Sequence, residues 1–304
     1  MKHIKIGNRL DASAVAMGCM RIGGLERPAV ASLVKTALDG GINFFDHADI
    51  YGDGEAESVF AQAVKDESIP RDQLLLQTKC GIRKGLFDFS KDHIIQSMDK
   101  SLKRLETDYV DVFLLHRPDT LVEPDEVAEA FSVLHKAGKA RYFGVSNHNP
   151  WQIRLLNKYL DQKIVANQLQ FSPAHTGMID AGLNVNMTIP QSSDRDGGIL
   201  DFCRYEDITI QAWSPFLYGF FEGVFLGSDK YPELNAAIDE LAAEKKVTPE
   251  AVVIAWILRH PANMQAIPGT TNEARLKGMC EAASFEMSRE MWYKIYLAAG
   301  NVLP

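Results

Sequence analysis

The sequence predicts an α/β protein folded as one (β/α)8 (TIM) barrel, a single domain over residues 1–304. Two observations carry that expectation. Eight short apolar runs alternate with helix-period patterns along the whole chain, and eight is the count of parallel strands that closes a barrel. The runs are also continuously apolar or nearly so, as expected of strands covered on both faces. An open doubly wound sheet is the structural alternative. It would carry a Gly-rich turn after its first strand, but the chain there reads Gly18-Cys19-Met20-Arg21-Ile22-Gly23-Gly24, which is not G-x-G-x-x-G.

The first dozen residues, with Gly7-Asn8 between two short extended runs, read as an N-terminal β-hairpin closing the bottom of the barrel. Strand one is 14–18. Pro28 opens a helix in which Val30, Leu33, Val34, Ala37 and Leu38 form one apolar face, and Gly40-Gly41 stops it. Strands two and three are 42–46 and 74–78. A helix follows with Ile95, Met98, Leu102 and Leu105 inward and Lys100, Lys103 and Arg104 outward. Strand four is 110–115, followed by the stripe Val127, Ala130, Phe131 and Leu134, closed by Gly138. After strand five, 140–145, Asn149-Pro150 is a cap and first-turn pair for a helix running through Leu155 and Leu156.

Strand six is 164–168. The connection after it, 174–198, is long and reads as a pocket-shaping loop, with a mobile composition over 190–198. Strand seven is 208–213, two helices lie between Tyr231 and His260, and strand eight is 264–268. No repeat recurs and no stretch resembles a linker.

Composition excludes several classes. Hydrophobic residues make up 46% of the chain, ordinary for a folded protein. A net charge of −8 argues against nucleic-acid binding, which needs concentrated positive charge. No apolar run approaches the roughly 20 residues that cross a bilayer, and the polar start is no secretory signal. Cys19, Cys80, Cys203 and Cys280 stand singly, at neither metal nor redox spacing, and read as free thiols. The expected setting is cytoplasmic, with neither a nucleic acid nor a membrane as partner.

The chemistry lies where the strands end. Asp46 ends strand two, Lys79 follows strand three and His116 follows strand four. Ser146 and Asn147 follow strand five, Gln168 ends strand six, Trp213 and Ser214 end strand seven, and Gly269, Thr270 and Thr271 follow strand eight. In a barrel these share the carboxyl-end rim, where barrel active sites are built. Singly, Asp46 reads as a turn cap, Lys79 as a solvated lysine and His116 as a core histidine. Together they form a proton-donating device with Tyr51. An ammonium beside a phenol lowers its pKa from about 10, a carboxylate fixes that ammonium, and a neutral imidazole orients a carbonyl.

These residues bring a family into view. The segments Phe45-Asp46-His47-Ala48-Asp49-Ile50-Tyr51-Gly52, Gln77-Thr78-Lys79, Leu114-Leu115-His116, Gly144-Val145-Ser146-Asn147, Asn167-Gln168 and Ala212-Trp213-Ser214 resemble the aldo-keto reductases in order and spacing. His47-Ala48-Asp49 with His116-Arg117-Pro118-Asp119 is most similar to a bacterial subgroup of predicted oxidoreductases, whereas most of the family has a small residue or Thr at His47.

The resemblance implies an NADPH-dependent reductase acting on a small carbonyl compound. Tyr51 would be the general acid, Lys79 would tune it, Asp46 would hold Lys79, and His116 would orient the carbonyl. Ser146, Asn147 and Gln168 would bind the nicotinamide amide, and Trp213 would stack on the ring. Ser214, Pro215 and Leu217 would follow the pyrophosphate, with Gly18 and Met20 lining the cofactor from the first loop. Gly269, Thr270, Thr271 and Arg275 stand where the family grips the 2′-phosphate. A Lys common there is replaced by Gly269, which leaves NAD(H) open as an alternative donor.

Two other functions compete. Some relatives use the barrel as a cofactor-binding redox sensor with weak turnover, and the tetrad alone does not separate the two. A metal-dependent hydrolase would need a His-x-His pair at strand one, where this chain has Gly18-Cys19-Met20, so no metal site is expected.

Overall fold

The computed structural model describes all residues 1–304. Its barrel strands are β1 (Met17–Gly18), β2 (Phe44–Asp46), β3 (Leu75–Cys80), β4 (Val110–Leu115), β5 (Ala140–Ser146), β6 (Ile164–Gln170), β7 (Thr209–Trp213) and β8 (Gln265–Ile267). They pair in parallel and in chain order. The barrel closes between β1 and β8, where Ala16 N donates to Ala266 O and Gly18 N donates to Pro268 O, both at 2.8 Å, around a parallel Val15–Ala266 bridge. With no free edge, every strand satisfies its backbone on both sides.

The hairpin pairs His3–Ile6 with Leu10–Ser13 across the amino-terminal end of the barrel. Its turn is pressed against β6. Gly7 has φ +55°, and a Cβ there would lie 2.5 Å from Val165 Cβ, so both conformation and space require glycine. Gln265 in β8 donates to Ser13 O at 2.8 Å, tying the hairpin to the barrel interior.

Helices sheathe the sheet: α1 (Arg27–Asp39), α2 (Glu55–Asp66), α3 (Lys91–Arg104), α4 (Pro124–Lys136) and α5 (Pro150–Asn157) follow the first five strands. Asn149 and Gln152 form a reciprocal capping box at the start of α5. In α3 the sequence expectation needs correcting: Ile94 is fully buried and Ile95 only half-buried, because Ser97 and Ser101 share the inward face with Met98 and Leu102.

The connection after β6 carries regular structure of its own. It contains α6 (Gly177–Leu183), and Asp194 Oδ1 accepts from the amides of Asp196 and Gly197 at 3.0 and 2.8 Å just before α7 (Ile199–Tyr205). Then come α8 (Pro232–Lys245), α9 (Pro249–Leu258), α10 (Glu273–Cys280) and α11 (Arg289–Ala298). Every residue of α9 from Ala251 to Leu258 is buried, which explains why its sequence has no polar face. Trp256 stacks on Trp292 of α11 at 4.8 Å. No helix is long and apolar enough to cross a membrane.

Candidate active site

The barrel sheet carries the predicted polar residues to one rim. Asp46 is the last residue of β2 and pairs in register with Gln77 of β3. Lys79 lies inside β3 rather than after it, so its side chain starts from the barrel wall. The consequence is a fully buried ammonium. Lys79 Nζ donates to Asp46 Oδ2 at 2.8 Å, to His47 O at 2.7 Å and to the Tyr51 hydroxyl at 3.2 Å. All three ammonium protons are thereby used.

Asp46 is held just as closely. Its Oδ1 accepts from Gln77 Nε2 at 2.6 Å and from Gln168 Nε2 at 3.0 Å. Behind them Gln211 exchanges hydrogen bonds with Gln77 and donates to Gln265 Oε1 at 2.9 Å. A buried amide network across β3, β6, β7 and β8 thus fixes the carboxylate orientation. Gln168 is therefore engaged within the barrel as well as facing the cleft.

Tyr51 starts a short 3-10 turn, Tyr51–Gly54, in which Gly52 and Asp53 have φ of 58° and 53°. Its ring meets the His116 ring edge-on at 6.0 Å between centroids. Burial pushes the Tyr51 phenol above its ordinary 10, outweighing the downward pull of Lys79. The sequence argument considered only the ammonium; here desolvation wins. Burial also works against the Lys79 charge, but Asp46 and Tyr51 prevail and hold it above its ordinary value. His116 is held well below the usual histidine value by burial, then by Lys79 and Arg117, so its ring is neutral.

Behind the rim lies a second buried group. Glu57 accepts from Thr78 Oγ1 at 2.6 Å and from Arg104 Nε at 2.7 Å. Asp49, beside it, is raised to about 7 by burial and by Glu57. His47 is fully buried against Phe60 with neither ring nitrogen hydrogen-bonded, and burial lowers it to about 3. Cys19 and Cys80 are buried too, and burial pushes both thiols well up, which favours packing over reactivity.

A cleft of about 520 Å³ opens above this machinery. Tyr51 and His116 line it; so do Gly18, Met20, Asp46, Ser146, Asn147, Gln168, Trp213, Ser214, Pro215, Leu217, Gly269, Thr270, Thr271 and Arg275. Every residue the sequence placed at a cofactor is therefore on one surface, and Lys79 lies beneath it. Asn147 Oδ1 accepts from Trp213 Nε1 at 3.2 Å, and Asn147 Nδ2 donates to Ser146 Oγ at 2.7 Å. At the far end, Asn272 caps α10 and the exposed Arg275 lies 3.7 Å from Glu250, a loose pair. A Cβ on Gly18 would come within 3.1 Å of Pro268 O, so a side chain there would crowd the cleft floor. The shape suits an elongated ligand with a polar ring at one end and an anion at the other.

The sequence reading missed several lining residues. Arg21 donates to Gly269 O at 2.9 Å and bridges the first and last loops; its place beside Met20 was the available signal. Phe221 stacks on Trp213 at 5.7 Å from a hairpin tip that no periodicity announces. Arg117, adjacent to His116, reaches over Trp213 and Phe220.

Comparison with known proteins agrees with this layout. The family model described as "Aldo/keto reductase family" matches residues 14–297. The chain is 34% identical to the uncharacterized oxidoreductase YcsN of Bacillus subtilis, covering 98% of each. It is 35% identical to a 6-dehydroglucose reductase of Novosphingobium aromaticivorans, covering 97% of this chain and 94% of that one. The thermostable aldo-keto reductase Tm1743, solved with the inhibitor epalrestat, superposes with a TM-score of 0.80 at 26% identity, over 98% of this chain and all of that one.

Proposed function

The chain belongs to the aldo/keto reductase family, and from that premise we propose that it reduces an aldehyde or ketone to the alcohol with NADPH, Tyr51 acting as general acid. The observation that carries the reading is the buried series Asp46–Lys79–Tyr51 opening beside a neutral His116. NADPH supplies the hydride to the carbonyl carbon when bound. The carbonyl π electrons would pass to oxygen, which takes the Tyr51 proton, so that a C–H and an O–H bond form as the donor C–H, the carbonyl π bond and the phenol O–H break.

The phenolate left behind sits against the Lys79 ammonium, which stabilises it as charge develops. Asp46 keeps that ammonium charged and aimed. The proton that restores Tyr51 enters through the cleft that its hydroxyl lines, while Lys79 beneath stays charged. We assign the His116 proton to Nε2, where it donates to the carbonyl oxygen and orients the reacting carbon. In the same reading the chain acts as one domain over 1–304.

The cofactor residues are assigned by the family resemblance, which their common place on the cleft wall supports. Ser146, Asn147 and Gln168 take the nicotinamide amide, which requires Asn147 to share the oxygen that Trp213 now donates to. Trp213 offers its indole face to the ring, and Gly18, Met20 and Asp46 bound that end of the cleft. Ser214, Pro215 and Leu217 line the pyrophosphate path. Gly269, Thr270, Thr271 and Arg275 hold the 2′-phosphate at the start of α10, where helix polarity and a guanidinium both favour an anion. The relative named as a 6-dehydroglucose reductase supports an aldehyde among the substrates.

The test is oxidation of NADPH, followed spectroscopically, against a panel of aldehydes, ketones and dicarbonyls. Turnover that depends on both the carbonyl and NADPH is expected. Tight cofactor binding with negligible turnover on every carbonyl would instead favour the redox-sensor reading.

A further inference from the structure

Tyr51 reaches Lys79 from a constrained piece of backbone. Its turn runs through three successive residues in the left-handed region, Gly52 at φ 58°, Asp53 at 53° and Gly54 at 95°. Such a segment, with a non-glycine residue among the three, keeps its shape only when its surroundings hold it there. The contact it delivers is also the longest that the ammonium makes, 3.2 Å to the Tyr51 hydroxyl against 2.8 Å to Asp46 and 2.7 Å to His47 O. At the near end, Asp49 N donates to Lys79 O at 3.1 Å and ties the loop to β3. At the far end the turn meets a buried ion pair that the proposed reaction does not otherwise use.

Glu57, in the first turn of α2, is fully buried, and a carboxylate so placed needs a partner. Arg104, from the last turn of α3, supplies it: Nε lies 2.7 Å and Nη2 2.6 Å from Glu57 Oε2. The same side chain underlies the turn. A Cβ on Gly54 would stand 2.7 Å from Arg104 Cδ and 2.8 Å from its Nε, so the backbone there rests directly on the arginine. The other Glu57 oxygen accepts from Thr78 Oγ1 at 2.6 Å. Thr78 precedes Lys79 on β3, and alternation along the strand sends Thr78 out to α2 while Lys79 points into the barrel. Gly54, Arg104, Glu57 and Thr78 thus form a short unbroken path from the turn that carries the acid to the strand that carries the ammonium.

We propose that the Arg104–Glu57 pair positions the acid: it sets the distance between the Tyr51 hydroxyl and the Lys79 ammonium, and with it the stabilisation of the phenolate formed on proton transfer. The inference rests on the proposed reduction with Tyr51 as general acid. Neither residue lines the cleft, so both are positioning residues. The Tyr51 phenol answers chiefly to burial, Lys79 and Asp46, so the pair acts through placement rather than through its own charges.

The experiment follows hydride transfer by stopped flow, from saturating NADPH to the aldehyde that wild type reduces fastest, in wild type, Arg104→Met and Arg104→Lys. The Kd for NADPH is read separately from quenching of protein fluorescence. Lengthening the 3.2 Å contact by about 1 Å weakens the pull of the ammonium on the phenolate enough to slow the step about tenfold, at an effective dielectric of about 20. Arg104→Met should show that loss with the Kd within about twofold of wild type. Arg104→Lys, which keeps the charge but loses the fork, should recover part of it, and carries the test should the Met variant not fold. Both substitutions are then repeated in the Lys79→Met chain. With no ammonium left to place they should no longer change the rate, whereas a merely structural residue would slow both chains alike. Equal slowing in both chains, a rate loss matched by a rise in Kd, or an unchanged rate in the folded variants overturns this inference alone. A wild-type rate in Tyr51→Phe removes the proposed mechanism and this inference with it.

Discussion

Replacing Lys79 by Met keeps most of the side-chain volume and removes the ammonium on which the proposed proton transfer depends. In the structure that ammonium is fully buried, with Asp46 at 2.8 Å, His47 O at 2.7 Å and the Tyr51 hydroxyl at 3.2 Å. Removing one partner of a buried ion pair costs about 3–5 kcal/mol. The lower end is expected here, because Asp46 keeps its two amide donors from Gln77 and Gln168. The catalytic effect is set by the phenolate. A unit charge 3.2 Å from the phenolate oxygen is worth about 5 kcal/mol at an effective dielectric of 20. Tyr51 faces the cleft, so solvent screens part of this, and kcat should fall by at least about two decades. Urea unfolding gives the first quantity and NADPH oxidation the second, with cofactor titration confirming that the site is intact. Adding Asp46→Asn should recover some stability, since the stranded carboxylate is then neutral, without restoring turnover. A kcat for Lys79→Met within tenfold of wild type would refute the charge argument, as would further loss of stability in the double variant.

Other expectations concern pH and the cofactor. Asp49 is raised to about 7 by burial, so the folded chain binds a proton that the unfolded chain has already lost above the ordinary carboxylate range. Its contribution to stability is therefore full at acid pH and is lost as pH rises towards 7; Asp49→Asn should flatten the change in thermal midpoint between pH 5 and pH 8, and an unchanged slope would count against it. Arg275→Ala should raise KM for NADPH by about tenfold or more while changing KM for NADH much less, given a charge-assisted bond to the 2′-phosphate. Equal effects on both donors would remove that role, and Glu250, its loose partner at 3.7 Å, would become its only function.

Much of this layout was legible in the chain. The eight strands could be read because residues buried on both faces, such as Val112–Leu115, make short apolar runs that end at the rim. Asp46, His116, Asn147 and Trp213 stood out because each broke such a run. What the sequence left hidden depends on side chains meeting across the barrel. Nothing local marks Gln77, Gln211 and Gln265 as one amide network, since they become neighbours only when the sheet closes. The direction of the Tyr51 shift was missed because proximity of Lys79 can be argued from strand order, whereas desolvation depends on everything packed around it. The polar, Gly-containing composition of residues 174–198 likewise concealed α6 and the Asp194 turn.

The most direct test of the account is Tyr51→Phe, which deletes a single proton donor and almost no volume. Stopped-flow reduction with saturating NADPH should slow by at least about a hundredfold, the lower bound for losing a positioned general acid, while the Kd for NADPH stays within about twofold. Carbonyl reduction at neutral pH within tenfold of wild type would contradict the assignment of Tyr51, and with it the proposed mechanism.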